Sequence, residues 1–195
     1  MSLRKALLIV ILILIADQAL KIYIKTHFML GGGFEIFSWF DINFVENPGM
    51  AWGVEIPGQY GKLALSIFRL FAIAGIGYWL YDTVRKNAPA LLTFALAFIF
   101  AGALGNIVDS VFYGIIFEDS MGQVSQIFPE QGYGTWFHGK VVDMFHFSFF
   151  PPVFNIADAA ISVGVGILIV FNRKAFPKKA KEEASQEITA QEPEV

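Results

Sequence analysis

Apolar residues run along this chain in long, nearly unbroken blocks. They are not the spaced stripes of a soluble amphipathic helix. Four blocks approach the roughly 20 residues that a helix needs to cross a bilayer. They lie at about 5–25, 62–81 ("KLALSIFRLFAIAGIGYWLY"), 89–112 ("PALLTFALAFIFAGALGNIVDSVF") and 152–172. One stretch has a different period. After the turn signal Gly31-Gly32-Gly33, the residues Phe40, Ile42 and Phe44 alternate with Asp41 and Asn43. That is the period of two expected for a half-buried strand. The pattern predicts an all-α integral membrane protein with four transmembrane helices and a small β element.

Charge orients the predicted helices. Arg4 and Lys5 precede the first block, Arg85 and Lys86 lie between the second and third, and Arg173, Lys174, Lys178, Lys179 and Lys181 follow the fourth. Lys and Arg near span ends mark the cytoplasmic side. With four spans all three clusters share one side, so both termini are expected to be cytoplasmic. The connections 26–61 and 113–151 then face outward, and the β element is extracytoplasmic. The first block resembles the apolar core of a signal peptide, but Asp17 and Lys21 follow it at once and no A-x-A site appears. An uncleaved first span is expected. The unit at 1–174 is read as the membrane domain. The tail at 175–195, ending "EEASQEITAQEPEV", is read as disordered and cytoplasmic.

Composition narrows the chemistry. The chain is 55% hydrophobic and 16% charged, with a formal charge of −3. No basic stripe argues for nucleic acid as a partner. With no cysteine, thiol catalysis, disulfides and Cys-ligated metals are excluded. His27, His138 and His146 lack metal-ligand spacing, so neither a metal nor a cofactor is expected.

The polar residues inside the blocks share one depth. Asp17 and Lys21, Arg69, Asn106 and Asp109, and Asn155 and Asp158 all lie toward the predicted outer ends of their spans. Asp17 and Lys21 are spaced i,i+4 and can pair on one helix face. Asn106–Asp109 and Asn155–Asp158 are spaced i,i+3. Gly102, Gly105, Ala157, Ala159 and Gly164 permit close helix approach around them. Asp17 with Lys21 reads as a structural pair at least as well as a catalytic one, and Arg69 as a snorkelling cation or the partner of an acid. Asp109 can equally cap a helix end or reach water. Asp158 is different, because an acid inside a membrane defaults to a functional hypothesis. Asp143, in "VVDMF", lies in a loop that can return to Asp158. Two close carboxylates share a proton. Such a pair can activate water against a carbonyl, as in aspartic proteases, or relay protons in a carrier. A scaffold with buried salt bridges is a third reading.

The order "NPGMAWG" (47–53), "GNIVDS" (105–110), "VVDMF" (141–145) and "FNIADAAI" (154–161), with Asp17 and Lys21 as D-x-x-x-K, resembles the lipoprotein signal peptidases, or signal peptidase II. The resemblance covers nearly the whole chain up to the tail. It implies a bacterial aspartic endopeptidase of the cytoplasmic (inner) membrane. Such an enzyme removes signal peptides from prolipoproteins, cutting before the diacylglyceryl-modified lipobox cysteine. It implies lipidated prolipoproteins, membrane lipid and globomycin-type inhibitors as partners. It also implies catalytic Asp143 and Asp158. Asn47, Gly49, Gly105, Asn106, Asp109, Asn155 and Ala157 would contact substrate or inhibitor, or shape the site. Two departures stand out. Ser110 replaces the family's usual Arg, and 113–140 is longer than the family's usual connection. That longer stretch is expected to cover the site.

Overall fold

The computed structural model describes residues 1–48 and 61–177. Gly49 and the tail beyond 177 lie outside them. The elements run α1 (Leu3–His27), β1 (Gly33–Phe37), β2 (Phe40–Asn47), α2 (Gly61–Arg85) and α3 (Ala90–Val108). A π turn at Asp109–Tyr113 and the short α4 (Gly114–Ile116) continue α3. Then come β3 (Val141–Phe147), β4 (Phe150–Phe154), α5 (Ile156–Val170) and the short α6 (Asn172–Ala175).

Among the described residues, three helical stretches are long and apolar enough to cross a membrane: Leu3–His27, Leu63–Arg85 and Ala90–Ile116. The fourth block folds differently from its prediction. Its helix, α5, has 15 residues, and Pro152 to Phe154 belong to a strand instead. Two prolines explain the break: Pro151 and Pro152 supply no backbone N–H to a helix and disfavour helical geometry just before them. The helix starts only after Asn155, whose side chain accepts a hydrogen bond from the Asp158 backbone N–H at 2.9 Å. Such an N-cap is worth about 1 kcal/mol.

Helix α3 is central and packs against α1, α2 and α5. Lipid tails are as apolar as leucine, so close packing and polar contacts must hold such helices together. Two glycines make the approach possible. A Cβ on Gly102 would stand 2.2 Å from the Ala157 carbonyl oxygen, and one on Gly105 would stand 2.8 Å from an Asp17 oxygen. The faces turned away from the bundle carry Leu8, Leu12, Ile15, Phe68 and Phe71 exposed, as contact with lipid requires.

The β element is larger than the sequence pattern indicated. Four antiparallel strands form one sheet in the order β1-β2-β3-β4. The period-two stretch is β2, with Ile42 and Phe44 buried. The "VVDMF" run, expected as loop, is β3. Its Val142 and Met144 enter a core shared with Ile24, Phe44, Tyr113 and Phe117. Alternation then turns Asp143 to the opposite face. Pairing places Val45 across from Asp143 and Asn47 across from Val141. The stretch 113–140 does not cover that second face. Its Tyr113, Phe117 and Tyr133 pack in the core beneath the sheet.

Candidate active site

The polar residues of α1, α3, β3 and α5 converge at the sheet end of the bundle in two connected layers. The deeper layer centres on Lys21, which is completely buried. Its ammonium contacts Asp17 at 2.9 Å, Asp109 at 2.8 Å and the Asn106 side-chain oxygen at 2.8 Å. A lysine has three donors, and all three are used. The remaining carboxylate oxygens are also occupied. Asp17 Oδ1 accepts from the Ala157 backbone N–H at 2.8 Å and Asp109 Oδ1 from the Gln18 amide at 2.8 Å, while Asp109 Oδ2 accepts from the Val142 backbone N–H at 3.2 Å as well as from Lys21. Asp109 therefore neither reaches water nor merely caps a helix, since it joins α1, α3 and β3.

Gln18 is a member of this layer that sequence reasoning missed. Its amide donates to Asp17 Oδ2 (3.1 Å), to the Gly105 carbonyl (3.2 Å) and to Asp109 Oδ1 (2.8 Å). Its oxygen accepts from the Tyr113 hydroxyl at 3.2 Å. The signal was present in the α1 pattern. Asp17, Gln18, Lys21 and Lys25 fall at i, i+1, i+4 and i+8, a polar stripe along one side of an apolar helix. The π turn helps to place Asp109 and Tyr113 within reach of Gln18, and such turns recur at functional sites.

The upper layer holds the two predicted catalytic carboxylates, linked by amides. Asn106 uses its oxygen to accept from Lys21 and its amide to donate to Asp158 Oδ1 at 2.7 Å. Asn155 donates to Asp143 Oδ1 at 2.6 Å and to the Asn106 oxygen at 3.1 Å. Asn47, at the end of β2, donates to Asp143 Oδ2 at 3.2 Å. Among the described residues, Asp158 Oδ2 has no hydrogen-bond partner and no ion pair reaches either carboxylate. Burial, and after it the charge of Asp158, push the Asp143 carboxyl up to about 7, while hydrogen bonds from Asn47 and Asn155 pull it back.

Both carboxylates line a cleft of about 1230 Å³. Asn47, Arg69 and Asn106 supply polar wall, while Phe147, Phe149, Phe150, Pro151, Pro152 and Phe154 supply an apolar one. No residue from 113–140 lines it. Ser110 does not line it either: it is buried and its hydroxyl donates to the Asn106 carbonyl at 3.0 Å. Gly105 and Ala157 sit beneath the carboxylates, where their small size admits Asp17. No cluster of three or more His, Cys, Asp or Glu side chains among the described residues could hold a metal ion.

Membrane-length helices, with a carboxylate pair set in an apolar-walled cleft at one end of the bundle, mark an integral membrane protein with a polar site at that end. The sequence model of the signal peptidase (SPase) II family matches residues 9–173. A lipoprotein signal peptidase of Porphyromonas gingivalis (strain W83) is 45% identical over 183 residues, covering 83% of this chain and 80% of that protein. Another, from Amoebophilus asiaticus (strain 5a2), is 28% identical over 206 residues, covering 94% and 84%. A solved bacterial membrane enzyme, determined by the in meso method at 1.9 Å resolution, superposes with a TM-score of 0.65 at 26% identity. That match covers 89% of this chain and 96% of the solved one. The chain belongs to the signal peptidase II family and is a bacterial membrane peptidase.

Proposed function

We propose that this protein removes signal peptides from prolipoproteins as an aspartic endopeptidase, with Asp143 and Asp158 as its catalytic pair. It would cleave before the diacylglyceryl-modified cysteine of the lipobox. One observation carries the reading: two carboxylates joined through Asn106 and Asn155 face a cleft with an aromatic wall, and among the described residues Asp158 Oδ2 has no hydrogen-bond partner.

In this mechanism a water sits between the carboxyl groups. Asp158, ionised, takes a proton from the water as its oxygen attacks the scissile carbonyl carbon. Asp143, whose carboxyl lies near 7, holds the proton that goes to the leaving nitrogen as the C–N bond breaks. Proton transfer within the pair then restores the starting state. Asn47, Asn106 and Asn155 fix the carboxylates without adding charge that would lock both in the ionised form. Asp17 and Lys21, with Asp109, act as the structural base of the site. Acyl chains of the substrate would lie along the Phe147–Phe154 wall and continue into surrounding lipid.

The topology that goes with this reading has four spans, with α5 as the fourth, short one. Residues 1–174 form the peptidase unit. Both termini lie in the cytoplasm and the sheet faces outward from the inner membrane. Supporting it are the cation clusters at Arg4–Lys5, Arg85–Lys86 and Arg173–Lys174, all at helix ends away from the sheet. The test is incubation of the purified full chain with a lipidated prolipoprotein, with and without globomycin. Release of the signal peptide at the residue before the lipidated cysteine, blocked by globomycin, is the expected result. Intact substrate would overturn the proposal.

A further inference from the structure

A second buried charge cluster lies beneath the sheet, away from the carboxylate pair. Glu46 in β2 forms ion pairs with Lys25 of α1 and, at 2.9 Å, with Lys140. Ser120 donates to the same carboxylate at 3.0 Å and accepts from Lys25 at 2.8 Å. The Lys25 ammonium also lies 4.9 to 5.8 Å from the ring centroids of Tyr133, Phe117 and Phe44. Lys25 and Ser120 are fully buried, and Lys140 is about one third exposed. Burial alone would raise the Glu46 carboxyl, but Lys25 and Lys140 hold it below its ordinary value. The cluster ties together α1, β2 and both ends of the 117–140 excursion.

Its position in the sheet gives it a role in the reaction. The β2–β3 ladder is irregular between Ile42 and Val45, then resumes for only Val45, Glu46 and Asn47. Pro48 follows and has no N–H with which to extend the ladder. This short strand end nevertheless carries Asn47, which donates to Asp143. A slip of one residue would turn Asn47 to the other face. Glu46 is the middle residue of the three, and it is the one anchored from below.

We propose that Glu46 is a positioning residue for the reaction: clamped by Lys25, Ser120 and Lys140, it holds the end of β2 in the register at which Asn47 donates to Asp143. The excursion thereby acts on the site from behind the sheet, where a lid would act from above. The inference rests on Asp143 being catalytic.

The groups facing Asp143 are Asn47, Asn155 and Asp158, with the charge of Lys21 behind them and Arg69 of α2 in the wall of the same cleft. A donated hydrogen bond favours the ionised carboxylate, so losing the one from Asn47 raises the carboxyl. If Asp143 is the acid, the high-pH limb of kcat moves upward with it. The experiment compares wild type, Glu46→Gln, Lys140→Met, Asn47→Ala, the Glu46→Gln/Asn47→Ala double variant and Asp143→Asn, all as purified full chains. The readouts are kcat and KM against pH, and Tm. Glu46→Gln is expected to lower kcat about tenfold, with little change in KM. Its high-pH limb should rise by about half a unit. Lys140→Met should do the same more weakly, and its partly exposed position keeps the test open if Glu46→Gln does not fold. The double variant should shift the limb no further than Asn47→Ala alone. A lowered Tm with an unmoved limb, or limb shifts that add in the double variant, would overturn the proposal. Full turnover in Asp143→Asn would instead overturn the aspartic reading itself.

Discussion

The two carboxylate pairs of this protein lie in adjacent layers of one network and have opposite environments. Asp17 and Asp109 are buried against the same ammonium, and backbone N–H groups and Gln18 take up their remaining oxygens. Among the described residues, Asp143 and Asp158 meet neutral donors at hydrogen-bond distance, and both line the cleft, with Arg69 in its wall. A cation in contact makes a carboxylate a joint between helices. Amides hold a carboxylate in place and leave its proton free to move. A third pair sharpens the point. Lys86 and Asp82 have the same i,i+4 relation as Lys21 and Asp17 and a similar 2.8 Å separation, but Lys86 is largely exposed. Spacing makes both pairs, and burial decides whether either matters.

Asp143→Asn and Asp158→Asn should each lower kcat about 10²–10⁴-fold, the range of general acid–base contributions, with Tm changed little. Purified single variants assayed in one detergent check this; near wild-type cleavage by either would remove that residue from the chemistry. Lys21→Met should have the reverse signature. It leaves two buried carboxylates without their cation, a loss of about 3–5 kcal/mol. Thermal unfolding should show a large fall in Tm, and a Tm equal to wild type would mean that the lower layer is not a structural joint.

The pH dependence separates the layers more finely. Asp143, raised to about 7, gives up its proton as pH rises through that value. An acid that must donate to the leaving nitrogen is then spent, so kcat should fall about tenfold per unit above it. An activity still rising between pH 7 and 9 would assign the proton elsewhere. The smallest effect belongs to Lys86→Met. Its Tm and kcat should match wild type within error, and a measurable loss would contradict the weight placed on burial.

The sequence made the candidate site legible because membrane helices tolerate few polar residues. Asp17, Lys21, Asn106, Asp109, Asn155 and Asp158 stand out against an apolar background, and their common depth predicts that they meet. Gln18 was overlooked because a neutral amide beside a charged pair draws little notice in a pattern, although it lies on the same stripe. The role proposed for Asp143 was suggested only by its short motif, since a lone acid in a connecting segment has no period to declare it. The longer 113–140 stretch was expected above the site and lies under the sheet, where its Phe117 and Tyr133 find apolar partners.

By itself the sequence determined the membrane-length helices, the period-two strand and the residues that carry the charges, because each follows from local spacing and the cost of burying polar groups. The tertiary structure decided the rest. It converted the start of the fourth apolar block into a strand, placed Asp143 on the cleft face through the register of β3 against β2, and set a lysine against one carboxylate pair and amides against the other. These outcomes depend on contacts between segments far apart in the chain, and the spacing within any one segment does not contain them.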